Sequence, residues 1–245
     1  MPGQGLDEKL RDLLLNEGLD YIVPAGIAWA LVVGSIAQLV SAKYPVHLIF
    51  LGLALALTIW GAFRFARVVK LAKSYKLGRQ GERHVGQLLQ SLDVPGTRVF
   101  HDIPGDAFNL DHVVVCDRGI YVVETKTWSK SRGQELEVRN GKIFLRGRPV
   151  PGNAIGQAAG AARWLRKLIE AETGHIYECQ PVVVLPGWFV KPMDAATKEV
   201  AWVLEPKALL KWIPKAPLRL TPEEIRRIEA AIARHVRRSL PDGSE

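Results

Sequence analysis

Asp111, Glu124 and Lys126 are the residues whose types and spacing could do phosphate chemistry. Asp111 falls in the stretch Asn109–Cys116 and the other two in Ile120–Thr127. Both stretches are rich in Val, Ile and Tyr, and Asp117-Arg118-Gly119 between them reads as a hairpin turn. Side chains alternate along a strand, so Glu124 and Lys126 share a face and Thr125 takes the other. A two-residue loop at Arg118-Gly119 would pair Asp117 with Ile120, setting Asp111 opposite Lys126 and diagonal to Glu124. All three then share one face, and a one-residue slip would separate them. Two carboxylates and an ammonium on one sheet face suit metal-assisted phosphodiester hydrolysis. Hard oxygen ligands hold Mg²⁺ or Mn²⁺, which activates water and neutralises charge growing on the phosphate. The lysine orients that water or stabilises the transition state. The same residue types also make ordinary solvated cross-strand ion pairs, so the choice rests on what flanks them.

Two flanking residues favour the catalytic reading. Glu82 begins a helical pattern over Gly78–Leu92 in which Val85 and Leu89 follow at i+3 and i+7, so it belongs to the stripe facing the sheet. The plainer reading is a glutamate favoured by the helix dipole. Gln157, in a helix over Asn153–Ala171, shares a row with Ala161, Trp164 and Leu168; its plainer reading is an amide hydrogen-bonded at the edge of the core. His112 points away from the Asp111 face and reads as a buried, hydrogen-bonded histidine. His84 and His101-Asp102 have no partner at a spacing for nucleophilic catalysis, and there is no Gly-x-Ser-x-Gly or phosphate-loop sequence. Cys116 and Cys179 have no metal-ligand spacing and read as core thiols of a reduced cytosolic domain.

The elements that must position these groups follow from periodicity and turn chemistry. Arg98–Ile103 reads as a short strand before the Asn109–Cys116/Ile120–Thr127 hairpin. A second hairpin, Glu135–Val138 with Lys142–Leu145, turns on Asn140-Gly141. Its bases Arg132, Arg139, Lys142, Arg146 and Arg148 suit phosphate tracking or edge protection equally. Gly174 closes the helix that begins at Asn153, and Gln180–Leu185 is a continuous apolar run, as in a strand covered on both faces. Val200–Leu204 reads as a strand, Pro206–Trp212 as a short helix, and Thr221-Pro222-Glu223-Glu224 as a capping box opening an amphipathic last helix. The expected fold class is α/β, a mixed sheet flanked by helices with antiparallel strands at its centre.

Ahead of this domain, Tyr21–Val40 and Val46–Phe63 contain no Asp, Glu, Lys or Arg, and each approaches the roughly 20 apolar residues that cross a bilayer. With only residues 41–45 between them they read as a transmembrane helical hairpin. Acids before Tyr21 argue against a signal peptide. Arg64, Arg67, Lys70, Lys73, Lys76 and Arg79 follow the second span with no acid among them, which puts both termini in the cytoplasm and the protein in the plasma membrane. Much of the net charge of +8 is thus juxtamembrane and suits anionic lipid head groups, so charge alone does not establish a nucleic-acid partner. The expected division is a cytoplasmic segment 1–20, spans 21–40 and 46–63, a basic linker 64–77, a catalytic domain 78–215 and a C-terminal amphipathic helix 216–245.

The order Gly81-Glu82 in a helix, Leu110-Asp111-His112-Val113-Val114-Val115, Gly119-Ile120-Tyr121-Val122-Val123-Glu124-Thr125-Lys126-Thr127-Trp128, then Gln157, resembles the nuclease-related domain (NERD), a branch of the PD-(D/E)XK nuclease superfamily. The resemblance covers about Gly78–Leu185. It implies a core like that of restriction endonucleases and archaeal Holliday-junction resolvases. By it, Glu82, Asp111 and Glu124 would be metal ligands, Lys126 the catalytic lysine, and Gln157 the glutamine of the helix after the active strands. Ser129-Lys130 and Asn153-Ala154 depart from the family pattern at positions that touch substrate contacts rather than ligands. Two functions follow as expectations: a membrane-tethered, Mg²⁺- or Mn²⁺-dependent nuclease acting on nucleic acid, with DNA favoured, or a non-catalytic module of the same fold that binds nucleic acid or protein beside the membrane. Double-strand cutting by one site per chain would favour a homodimer.

Overall fold

The computed structural model describes residues 18–37, 46–128 and 135–239. The described residues from Gly78 onward form one compact unit and those up to Leu77 a second.

The later unit is organised by a five-stranded sheet. Its strands are β1 (Arg98–Pro104), β2 (Asn109–Cys116), β3 (Gly119–Thr125), β7 (Cys179–Val184) and β9 (Trp202–Leu204), in that spatial order. β3 pairs antiparallel with β2 and parallel with β7, which pairs parallel with β9. The mixed sheet with antiparallel strands beside its centre therefore stands. The register of the β2–β3 hairpin does not: Cys116 pairs with Gly119 and Val115 with Ile120, so the turn is Asp117-Arg118. The Asp117 carbonyl accepts from the Arg219 and Leu220 amides, which occupies the acceptor that the expected pairing with Ile120 needed. Asp111 consequently falls opposite Glu124, not Lys126. The displacement is an even number of residues, so the shared face survives.

Alternation along these strands feeds two cores. On one face Val113, Val115, Ile120 and Val122 meet Leu165 and Ile169 of α3 (Ala154–Thr173), with Ile228 and Ile232 of α6 (Pro222–Ser239). On the other, Val114, Tyr121 and Val123 meet Val85 and Leu89 of α2 (Val46–Gln90) and Leu209 of α5 (Pro206–Trp212). Each fully buried aliphatic side chain contributes about 1.5–3 kcal/mol, and β3 supplies them to both faces. The ends of α3 are set as expected. Asn153 accepts from the Gly156 amide at the N-terminus, and Gly174 takes a left-handed φ of 71° at the other end. Thr221 and Glu224 bond reciprocally, as a capping box should. The apolar side of α6, Ile225, Ile228 and Ile232, packs in the core of this unit.

The Asn140-Gly141 hairpin does not join the main sheet. β4 (Glu135–Arg139) and β5 (Lys142–Leu145) form a separate four-stranded sheet with β6 (Arg148–Pro149) and β8 (Phe189–Val190). Leu136, Val138 and Ile143 bury against Ile155 of α3 and Trp188. The six-residue helix α4 (Ala195–Val200), capped by Asp194, was not anticipated; it takes Val200 from the strand expected there. Residues 129–134, including Arg132, Ser129 and Lys130, lie outside the described residues.

In the earlier unit, α1 (Gly18–Ala37) packs against the first part of α2 through Ala28, Val32 and Ala54. A Cβ on Gly61 would stand 2.7 Å from the Tyr21 carbonyl oxygen, so glycine permits this approach. Among the described residues one helix is long and apolar enough to cross a membrane, over Leu48–Gln90; the apolar stretch of α1, Leu19–Gly34, is shorter. Residues 38–45, which hold the end of the first expected span and the turn, lie outside the described residues. The expected linker 64–77 is helical. α2 runs unbroken from Val46 to Gln90, since no proline interrupts the sequence between Pro45 and Pro95.

Candidate active site

At the C-terminal end of β3 the backbone ladder brings the predicted groups together. Asp111 lies across from Glu124, and its Oδ2 accepts the Thr125 amide at 2.7 Å. Lys126 follows the last strand residue, yet its amide donates to the Val184 carbonyl at 3.0 Å, so β7 extends the order of β3 by one residue. Its Nζ stands 2.7 Å from Glu124 Oε1, with the Glu124 side chain 14% exposed and that of Lys126 32%. Thr125 points to the opposite face and is buried.

That opposite face is where α2 arrives. A Cβ on Gly81 would collide with the Thr127 methyl and touch that of Thr125, so the glycine lets the helix settle on the end of β3. Its neighbour Glu82 is thereby carried to the rim of the carboxylate pair, partly buried. The Glu82 carboxyl is pushed up to about 7, first by burial, then by the charges of Asp102 and Glu124, with Lys126 opposing. Asp111 is held well above the usual carboxylate range by burial and by Glu124 and Glu82, against the Thr125 hydrogen bond and Lys126.

Asp102, passed over at the sequence level, belongs to this field. The β1–β2 register would set it across from Asp111, but the ladder skips it between the pairs His101–His112 and Ile103–Leu110. Its φ of +50° interrupts the pairing there, although β1 runs on to Pro104. An aspartate amid Val, Phe and Ile was the only trace of this in the sequence. Beneath, His112 is fully buried, and its Nδ1 stands 2.8 Å from His101 Nδ1. Burial, then His101, lowers the His112 imidazole to about 3, so this pair is neutral at physiological pH, one ring donating to the other. Gln157 is not brought in. It sits exposed in the first turn of α3, and among the described residues its side chain has no hydrogen-bond partner.

Four carboxylates, Glu82, Asp102, Asp111 and Glu124, thus act on one another with Lys126 as the opposing ammonium. Their oxygens suit a hard divalent cation in kind, and for Glu82 and Asp111 burial first, then the neighbouring carboxylates, raises the affinity for a proton. In the conformation described, Glu124 is turned onto Lys126 and Asp111 onto the Thr125 amide. Among the described residues no three His, Cys, Asp or Glu side chains stand together closely enough to hold a metal ion.

Comparison with known proteins bears on the same segment. The model of the nuclease-related domain family matches residues 77–186. An uncharacterised protein of Bacillus anthracis is 36% identical over 56 residues, which are 21% of this chain and 26% of that protein. The chain therefore matches little more than a quarter of that relative's length. Among solved structures, Pyrococcus furiosus SfsA in complex with Ca²⁺ is similar at 17% identity with a TM-score of 0.24, over 56% of this chain and 55% of that one. Glu82, Asp111, Glu124, Lys126 and Gln157 all fall inside residues 77–186, the segment similar to the nuclease-related domain family.

Proposed function

We propose that the protein is a membrane-anchored, divalent-cation-dependent phosphodiesterase that hydrolyses nucleic acid, with DNA the favoured substrate, at the cytoplasmic face. The observation that carries this reading is the placement of Asp111 across from Glu124 and beside Lys126, inside a segment matching the nuclease-related domain family. Carboxylates at one strand end repel a phosphate unless a cation intervenes, so a site built only to bind nucleic acid has no use for them. Asp111, Glu124 and Glu82 would hold Mg²⁺ or Mn²⁺, which when bound supplies Lewis-acid stabilisation of the phosphate and a more acidic water. Lys126, released from Glu124, would hold the attacking water by hydrogen bond and offset charge on the phosphate oxygens. Asp111, fixed by the Thr125 amide, keeps its position through the cycle.

The anchor is part of the same proposal. Two spans with both termini cytoplasmic are supported by the six bases from Arg64 to Arg79. A Tyr21–Trp60–Arg64 cluster also supports this reading: the rings are edge-to-face at 5.5 Å and the guanidinium lies 5.1 Å over the tyrosine. Aromatic and basic groups at one level suit a bilayer interface.

One observation favours a second reading, a non-catalytic module for nucleic acid or protein beside the membrane: the Lys126–Glu124 ion pair closes the site as it stands. The full chain in detergent, given supercoiled, linear and branched DNA with Mg²⁺, Mn²⁺ or chelator, separates the two. Cation-dependent cleavage lost in Asp111→Ala and Lys126→Ala is expected. No cleavage on any substrate, with metal-independent DNA binding, would establish the module. A native gel of the cleaving species would test the homodimer, and a reporter after Glu245 active only outside the cytoplasm would overturn the topology.

A further inference from the structure

At the other end of β3 the chemistry is reversed. A cavity of about 310 Å³ opens between the start of β3, the C-terminal part of α5 and the segment that follows it. Four cations line it, Arg118, Lys198, Lys215 and Arg219, against Glu178 alone among the carboxylates. Glu178 is turned to Arg166, 3.3 Å away, and Arg118 is engaged by Asp117 and the Ala216 carbonyl. Lys198, Lys215 and Arg219 are exposed, and among the described residues none has a carboxylate partner. Several like charges lining one cavity favour an anionic guest.

The floor is aromatic. Trp202 packs 5.3 Å from Trp212 and 5.5 Å from Tyr121, and both indoles are only partly buried. Lys198 Nζ lies 5.1 Å over the Trp212 ring, a cation already on an aromatic face. Aromatic surfaces beside cations accept a planar heterocycle bearing negative charge, because every nucleobase offers a π-face while its phosphate meets the ammonium groups. The volume is at the small end for ligand sites, roughly 300–1,000 Å³, and suits a nucleotide-sized guest. Trp202, Trp212, Lys215 and Arg219 all lie beyond residue 186, so this wall is no part of the matched family segment.

We propose that this cavity binds a nucleobase carrying phosphate, either as a free nucleotide or as one unit of a single strand. The inference rests on the cavity's own chemistry and not on cleavage at the carboxylate end. The test is calorimetric titration of the full chain in detergent with chelator present, using adenosine 5′-monophosphate, adenosine, inorganic phosphate and a single-stranded hexanucleotide. Adenosine 5′-monophosphate or the hexanucleotide should bind at one site per chain, with adenosine and inorganic phosphate at least tenfold weaker. The double variant Lys215→Glu/Arg219→Glu, on exposed positions, should weaken binding tenfold or more with an unchanged melting curve. Arg226→Glu on α6 should bind as the parent does. A hexanucleotide much tighter than the mononucleotide identifies a strand as the source; equal or weaker binding identifies the free nucleotide. Binding of neither, binding that survives the double charge reversal, or inorganic phosphate binding as tightly as the nucleotide would overturn the proposal.

Discussion

The two ends of β3 present opposite charge on one strand, roughly 13 Å apart from Ile120 to Glu124 at the usual rise. At the C-terminal end carboxylates outnumber the opposing ammonium, and the proton affinities of Glu82 and Asp111 are raised. At the N-terminal end cations outnumber the carboxylate, and aromatic rings line the wall. On the two proposals, affinity for phosphate and capacity to cleave it are separate properties. A basic, aromatic wall would meet a phosphate directly, whereas the acidic end would meet one only through a cation. Changes at one end should therefore leave the other's property intact.

The largest effect belongs to Asp111→Ala, expected to reduce cation-dependent cleavage to background while nucleotide binding at the opposite end persists. Loss of both together would show the ends are not independent. Lys126→Ala should lower cleavage by about 10²–10³-fold, the usual cost of removing one group placed against developing charge. Next in size is a pH effect on stability. The Glu82 carboxyl titrates near 7 in the fold and near 4.5 unfolded, so the folded chain holds the proton more tightly. Without divalent cation, stability should therefore fall as pH rises from about 4.5 through about 7. Glu82→Gln removes that loss and should melt higher than the parent at pH 8, with the gap closing toward pH 4; equal melting at both pH values would refute the repulsion. Gly81→Ala should cost about 1–3 kcal/mol in denaturant unfolding by wedging α2 off Thr127. The smallest effect is assigned to Gln157→Ala, whose exposed side chain should change cleavage less than about threefold; a loss on the scale of Lys126→Ala would place Gln157 on the substrate after all.

What could be read in the sequence was local. Asn153 and Gly174 bound α3, Thr221 and Glu224 cap α6, and Asn140-Gly141 turns its hairpin, because each signal acts within a few residues. The face shared by Asp111 and Glu124 was legible because alternation needs only parity. The register was not, since the Asp117 carbonyl is claimed by amides a hundred positions onward. Asp102 escaped for a related reason: its place beside Glu82 depends on a left-handed backbone in the middle of an apolar strand. Gln157 was placed by its helical row, and that row turns outward at the first turn of α3. The separation of the second hairpin into its own sheet depends on a partner distant in sequence, β8.

Electron paramagnetic resonance of Mn²⁺ titrated into the full chain at neutral pH asks whether the C-terminal end of β3 holds a divalent cation, as proposed. A tightly bound ion is expected that Mg²⁺ displaces and that is lost in both Asp111→Asn and Glu124→Gln, while Lys215→Glu/Arg219→Glu retains it. Mn²⁺ binding that is absent in the parent, or unchanged in the two carboxylate variants, would contradict the proposal.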